Sequence, residues 1–183
     1  PDADDTPGAL LALHHLAPDD ADVRAAAARG VEWLLKLQNR DGGTPTFCRG
    51  WGKLPFDRSA TDIAAHAVRA MRAWRGTMDA KLAARMDASA ERALRFIRGS
   101  QRPDGSWVPL WFGNEHQEGM GNPVYGTART VAALGQCAEA PDAALRGCAF
   151  LQGVQHADGG WGGGPAGPAS IEETALGVEA LAR

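Results

Sequence analysis

Arg92-Ala93-Leu94-Arg95-Phe96-Ile97-Arg98-Gly99-Ser100-Gln101-Arg102-Pro103-Asp104-Gly105-Ser106-Trp107 is the stretch on which the fold turns. An amphipathic helical segment ends near a Gln, and a Gly turn and a Trp follow at once. A second copy runs from Arg146-Gly147 through Phe150-Leu151 and Gln155 to Gly159 and Trp161. A third, degenerate copy has Arg29-Gly30, Trp33-Leu34, Gln38 and Gly42, with Thr44 where the Trp should stand. The Gln positions are 38, 101 and 155, hence 63 and 54 residues apart. A single Gln-x-x-Asp-Gly string is an ordinary turn, but three in register, each after an amphipathic helix, form a repeat. The physical logic is local. A Gln amide can satisfy orphan backbone groups at a helix end, and an indole packed over it excludes water. Thr44 should leave the first copy the weakest.

Outward from the repeat, the hydrophobic period is helical and no segment alternates in the β manner. The pattern predicts helices near 5–16, 21–38, 60–75, 80–101, 126–138, 142–155 and 170–182, rich in Ala and Leu. Ser59 and Ser170 read as N-caps, and Glu173 lies three residues after Ser170, as in a capping box. Gly, Pro and Trp collect in two long loops, 39–58 and 102–124, and loops of that length in a compact domain are usually functional. Apolar residues make up 44% of the 183 and charged residues 22%, with net charge −3. That balance gives no footing for a nucleic-acid partner. No apolar run approaches the roughly 18 residues of a membrane span. Cys48, Cys137 and Cys148 lack CxxC spacing, so neither zinc nor a structural disulfide is expected.

Gln-x(3)-Gly-x-Trp in this setting resembles the QW motif of the triterpene cyclases. Asp2-Ala3-Asp4-Asp5-Thr6, leading into an apolar helix, resembles the DxDD(T) signature of class II terpene cyclases of the squalene–hopene type. The resemblance implies an α/α barrel whose inner helices (5–16, 60–75, 126–138, 170–182) alternate with outer ones (21–38, 80–101, 142–155). About seven of twelve helices are here. Residues 1–183 would be the C-terminal portion of the catalytic barrel domain, with the missing helices and a second domain before Pro1.

In that family the middle Asp protonates a terminal alkene. An alkene is a very weak base, so the acid must be held protonated yet be strong. Crowded carboxyls favour keeping a proton on one of them, and a helix N-terminus stabilises the carboxylate left behind. The resemblance assigns Asp4 as the acid with Asp2 and Asp5 supporting. The family's activating His matches His66 in Asp62-Ile63-Ala64-Ala65-His66, where Asp62 and His66 share a helix face. Asp4 and His66 should approach one another. A carbocation cascade also needs aromatic walls, which stabilise cations without attacking them. Trp107, Trp111, Phe112 and Tyr125 are the aromatic pocket candidates, Tyr125 foremost, and Asp62 joins them in the substrate pocket. Gln38, Gln101 with Trp107, and Gln155 with Trp161 are the structural repeat residues. Between Trp107 and Tyr125 the sequence carries an insertion with Glu115-His116-Gln117-Glu118.

The resemblance implies a polyprenoid lipid substrate, no metal and no redox cofactor. It also implies peripheral contact with the cytoplasmic side of a membrane in the full-length protein, and a homodimer is compatible with it. Two other readings stay open. One is cyclisation of a prenyl diphosphate, with Arg49, Lys53 and Arg58 as a scattered basic trio. The other is a carbohydrate-active α/α barrel using Asp4 and Glu173 as paired carboxylates. Glu172-Glu173 otherwise read as a solvated cap.

Overall fold

The computed structural model describes residues 1–135 and 140–182. Among these it holds seven α-helices: α1 (Asp5–Leu16), α2 (Ala21–Leu37), α3 (Thr61–Trp74), α4 (Ala80–Gly99), α5 (Pro123–Leu134), α6 (Pro141–Gly153) and α7 (Ile171–Leu181). The only β pairing among the described residues is two isolated bridges, Thr44 with Ala60 and Trp161 with Ser170. The fold is all-α, as an incomplete α/α barrel requires. Two compact units divide within α4, after Phe96.

Expected helix bounds agree to within two residues except at α5, which begins at Pro123 and not at 126. Asn122 and Pro123 read as loop, yet they start the helix. The Asn122 side chain accepts from the N–H of Tyr125 at 3.0 Å, and Pro123 fits the first helical position, where no N–H is needed. The expected end at 138 lies outside the described residues. Ser170 caps α7 as expected, its Oγ accepting from the N–H of Glu173 at 3.0 Å. Ser59 does not cap α3. Its hydroxyl donates to Asp41 at 2.8 Å and accepts from Asn39 Nδ2 at 3.0 Å, leaving Ala60 at the cap position.

In the first unit, α1 and α3 pack side by side and α2 packs against both. α3 is buried nearly all round, while α2 buries one stripe, Ala27, Val31, Leu34 and Leu37. That contrast separates an inner from an outer helix. Burying Ile63, Val68 and Met71 stabilises by about 1.5–3 kcal/mol each. Trp74 ties α3 to α1 by donating its indole N–H to the Leu10 carbonyl at 2.7 Å, with His14 edge-on to its ring.

The second unit repeats the plan, with α5 beside α7 and α6 against both. Gly147 of α6 allows the close approach. A Cβ there would stand 2.5 Å from Val131 Cγ2 and 2.9 Å from Trp107.

The repeat motif builds a clasp, and its parts divide differently from the expectation. The indole, not the Gln, satisfies the helix end: Trp107 donates to the Ile97 carbonyl in the last turn of α4, and Trp161 to that of Leu151 in α6, each at 2.8 Å. The Gln bridges to the next outer helix. Gln38 Nε2 donates to the carbonyls of Gly42 at 2.8 Å and Ser89 at 2.9 Å, and its Oε1 accepts from Arg92. Gln101 does the same with Gly105, Ala143 and Arg146. Gly42 and Gly105 sit at φ +92° and +88°, and a Cβ on either would fall within 2.5 Å of the Arg92 or Arg146 carbonyl. Both the backbone conformation and the contact demand glycine.

The first copy is not the weakest. Gln38 is buried and gains the Ser89 hydroxyl as a further donor to Oε1 at 2.9 Å, whereas Gln155 is exposed and donates to the Gly159 carbonyl at 2.8 Å.

Candidate active site

A helix start leaves four N–H groups without partners. At α1, Asp2 Oδ1 takes two of them, accepting from Asp4 at 3.0 Å and Asp5 at 2.7 Å. The Asp2 carbonyl accepts from the Thr6 N–H at 3.2 Å, so helical bonding already runs from Asp2. Asp2 is thus the physical cap. Buried Ala3 pins this start by donating its N–H to the Thr46 carbonyl at 2.8 Å. Asp4 is half-buried and Asp5 is exposed. The geometry therefore separates the carboxyls by role: Asp2 holds the helix, Asp5 faces water, and Asp4 sits between.

His66 comes from α3. Its Cε1 lies 3.7 Å from where a Cβ on Gly8 would stand. Gly8 is four residues after Asp4, one turn along the same face of α1. Asp4 thus shares the α1 face over which the half-buried His66 ring lies. Asp62, one turn before His66 on α3, is buried in the helix's first turn.

The aromatic candidates belong to the second unit. Trp107 has no exposed surface; its indole is committed to Ile97, and its backbone N–H donates to Thr127 Oγ1 at 2.9 Å. Of its two assigned roles this geometry serves the clasp, and no face is open to a pocket. Trp111 is half-buried. Phe112, at φ +58°, stacks on Tyr125 with centroids 4.7 Å apart and planes 19° from parallel. Tyr125 is buried in the first turn of α5.

Sequence reasoning missed one polar node. Glu173 is buried, not solvated: Asn122 donates to Oε1 at 2.8 Å, Asn114 at 3.1 Å, and the Ser170 hydroxyl to Oε2. The insertion loop folds onto the Gly-rich approach to α7, where Asn114 crowds Gly163 and Gln117 donates to the Ala166 carbonyl. A carboxylate enclosed this way is poorly placed for the glycosidase pairing. The Asn122-Pro123 pair that opens α5 was the available signal.

The 39–58 loop is ordered by buried Asp57, whose carboxylate accepts from the N–H of Trp51 at 3.0 Å and of Leu54 at 2.8 Å. It leaves Phe47, Trp51, Leu54 and Phe56 exposed, together with Arg49, Lys53 and Arg58. Among the described residues no three His, Cys, Asp or Glu side chains gather as metal ligands. Cys48 is exposed, and burial pushes the Cys148 thiol up, away from thiolate chemistry. Cys137 lies outside the described residues. No described helix is long and apolar enough to cross a membrane.

Residues 1–176 match the family model described as squalene-hopene cyclase C-terminal domain. Drimenyl diphosphate synthase of Streptomyces showdoensis is 36% identical over the whole chain, which covers 31% of that protein. The squalene–hopene cyclase of Alicyclobacillus acidocaldarius is 30% identical over 73% of the chain and 21% of its own length. Lanosterol synthase of Pneumocystis carinii is 29% identical, over 73% and 20%. The chain spans about a fifth to a third of these relatives.

Proposed function

The chain belongs to the squalene-hopene cyclase C-terminal domain family, and from that premise we propose that it carries the general acid of a class II terpene cyclase. It would form part of the catalytic α/α-barrel domain. Asp4 transfers its proton to one carbon of a terminal alkene of a linear polyprenoid, leaving a carbocation on the other. Neighbouring double bonds then attack in turn, and proton loss or water capture ends the cascade. The carboxylate left on Asp4 lies at the N-terminus of α1, where the helix dipole favours negative charge. A protonated His66 adds a cation on the same face. Aromatic π-faces would stabilise the cationic intermediates without attacking them.

The observation that carries this reading is the division of labour at α1. Asp2 is consumed as the cap, while Asp4 stays on the face over which His66 lies. Because the substrate would be a lipid, we place the polypeptide peripherally at the cytoplasmic face of a membrane. The exposed Phe47, Trp51, Leu54 and Phe56 support that placement.

A second reading, cyclisation of a prenyl diphosphate, is favoured by the whole-chain similarity to drimenyl diphosphate synthase. Arg49, Lys53 and Arg58 would then meet the diphosphate. Incubating the polypeptide as its source makes it with squalene and, separately, farnesyl diphosphate distinguishes the two. Cyclic product from squalene alone supports the first reading, product from the diphosphate alone the second, and product from neither removes both substrates.

A further inference from the structure

Ser170 and Glu173 open α7 at capping-box spacing, but the box is not closed. In a box the Glu side chain reaches back to the N–H of the cap residue. Here the Ser170 N–H already donates to the Trp161 carbonyl at 2.9 Å. The Glu173 carboxylate is left for other donors, and it gathers them from two separate segments. Oε1 accepts from Asn114 Nδ2 at 3.1 Å and from Asn122 Nδ2 at 2.8 Å, while the Ser170 hydroxyl donates to Oε2. Each Asn uses its own carbonyl locally. Asn114 Oδ1 accepts from the N–H of His116, and Asn122 Oδ1 from that of Tyr125, both at 3.0 Å. Both amides are thereby fixed in orientation, and each is a two-ended tie.

The two ties flank the aromatic stack. Asn114 lies two residues after Phe112, and Asn122 three before Tyr125. Phe112 holds φ +58°, a left-handed backbone that a bulky side chain rarely adopts. Such a residue persists where its surroundings over-determine it. The loop between the ties rests on glycines. A Cβ would stand 2.5 Å from Asn114 Cβ if placed on Gly163, 2.6 Å from Gln117 Oε1 on Gly164 and 2.7 Å from His116 Cβ on Gly167. The start of α5 rests on the same strip, the Val124 N–H donating to the Gly163 carbonyl at 3.2 Å. The start of α7 needs none of this, since the Ser170 hydroxyl oxygen caps it.

We propose that Glu173 is a positioning residue: by holding Asn114 and Asn122 on one oxygen it sets the Phe112–Tyr125 stack, and through the stack it selects among cyclisation products. The positioning half stands on the geometry alone. The selecting half rests on the cyclase reading above, with the stack facing the folded polyprenoid. An aromatic face stabilises the cationic carbon nearest to it, so displacing the face changes which intermediate is favoured. Glu173 touches no substrate and moves no proton in this role. A Gln at 173 keeps an acceptor oxygen for both Asn amides, and its Nε2 can donate to the Ser170 hydroxyl oxygen. An Ala keeps neither.

4-Fluorophenylalanine placed at position 112 of the polypeptide as its source makes it gives one fluorine NMR signal, shifted by the Tyr125 ring. Tyr125→Ala marks where that signal falls without the stack. Glu173→Ala should move the signal at least halfway to the mark with helix content kept, and Glu173→Gln should leave it in place. Asn114→Ala cuts only the tie from the loop, so it should move the signal likewise and decides the matter if Glu173→Ala does not fold. On whichever polyprenoid the wild type converts, Glu173→Ala should raise the share of minor or new products at least about fivefold, with the total rate down less than about tenfold. Glu173→Gln should restore the wild-type profile. A signal unmoved by both Ala variants would overturn the proposal. A moved signal with an unchanged product profile would overturn the selecting role. A wild type that converts neither squalene nor farnesyl diphosphate counts against the cyclase reading instead, and the fluorine signal still decides the positioning.

Discussion

Two regions of this chain share one plan and part company at the mouths of their inner helices. Each unit sets two inner helices side by side with an outer helix across both: α1, α3 and α2 in one, α5, α7 and α6 in the other. In the first unit the mouth holds the carboxyls of Asp2, Asp4 and Asp5 with His66, and Asp2 caps the helix. In the second, the buried carboxylate of Glu173 is enclosed by Asn114, Asn122 and Ser170. The same helix-start physics is answered by different side chains in the two places: Asp2 caps α1 beside Asp4, while Asn114, Asn122 and Ser170 enclose Glu173 at α7. The clasps and packed faces set the fold.

The comparison can be broken at several strengths. His66→Ala should slow cyclisation by about 10–100-fold while leaving thermal stability nearly unchanged, because it weakens the acid without opening the core. An equal loss from Glu173→Gln would erase the distinction between the two mouths. Gln38→Ala should cost about 2–3 kcal/mol in chemical denaturation, since it strands the buried carbonyl and hydroxyl of Ser89 and removes the acceptor of Arg92. In the 1–183 chain, Gln155→Ala should cost no more than about 0.5 kcal/mol. Similar values for the two would contradict the contrast between filled and open clasps. Smallest is the exposed Arg75–Asp87 pair, bonded at 2.7 Å. The hydrogen bond from Arg75 holds the Asp87 carboxyl below the ordinary aspartate value. Its stabilisation is therefore present above about pH 4 and lost as pH falls further. Asp87→Asn should change stability slightly at neutral pH and not at all near pH 2.

Much of this was legible because it is periodic. Helix existence, the alternation of inner and outer segments, and the Gln–Gly–Trp turns all follow from spacing. The misses share a cause: the deciding partner lies far along the chain. Ser59 looks like a cap until Asp41 claims its hydroxyl. Glu173 looks solvated until Asn114, 59 residues earlier, reaches it. Gln38 looks like the weak copy because Thr44 replaces a Trp, yet its strength comes from Ser89, 51 residues on. Arg92 and Arg146 open their repeats in plain sight, but their part as clasp donors needs the preceding turn in place. At α5 the error was local: Asn122-Pro123 is equally good turn and helix-start chemistry.

In the proposed reaction Asp4, and neither Asp2 nor Glu173, delivers the proton. Its most direct test is the cyclisation rate of Asp4→Asn in the polypeptide as its source makes it, on whichever polyprenoid the wild type converts, beside Asp2→Asn and Glu173→Gln. Asn is isosteric but is no comparable acid, so Asp4→Asn should lose at least about 10³-fold in rate with helix content and melting temperature retained. Asp2→Asn should keep the cap and a measurable rate. An Asp4→Asn protein that cyclises its substrate at near wild-type rate would show that the acid lies elsewhere.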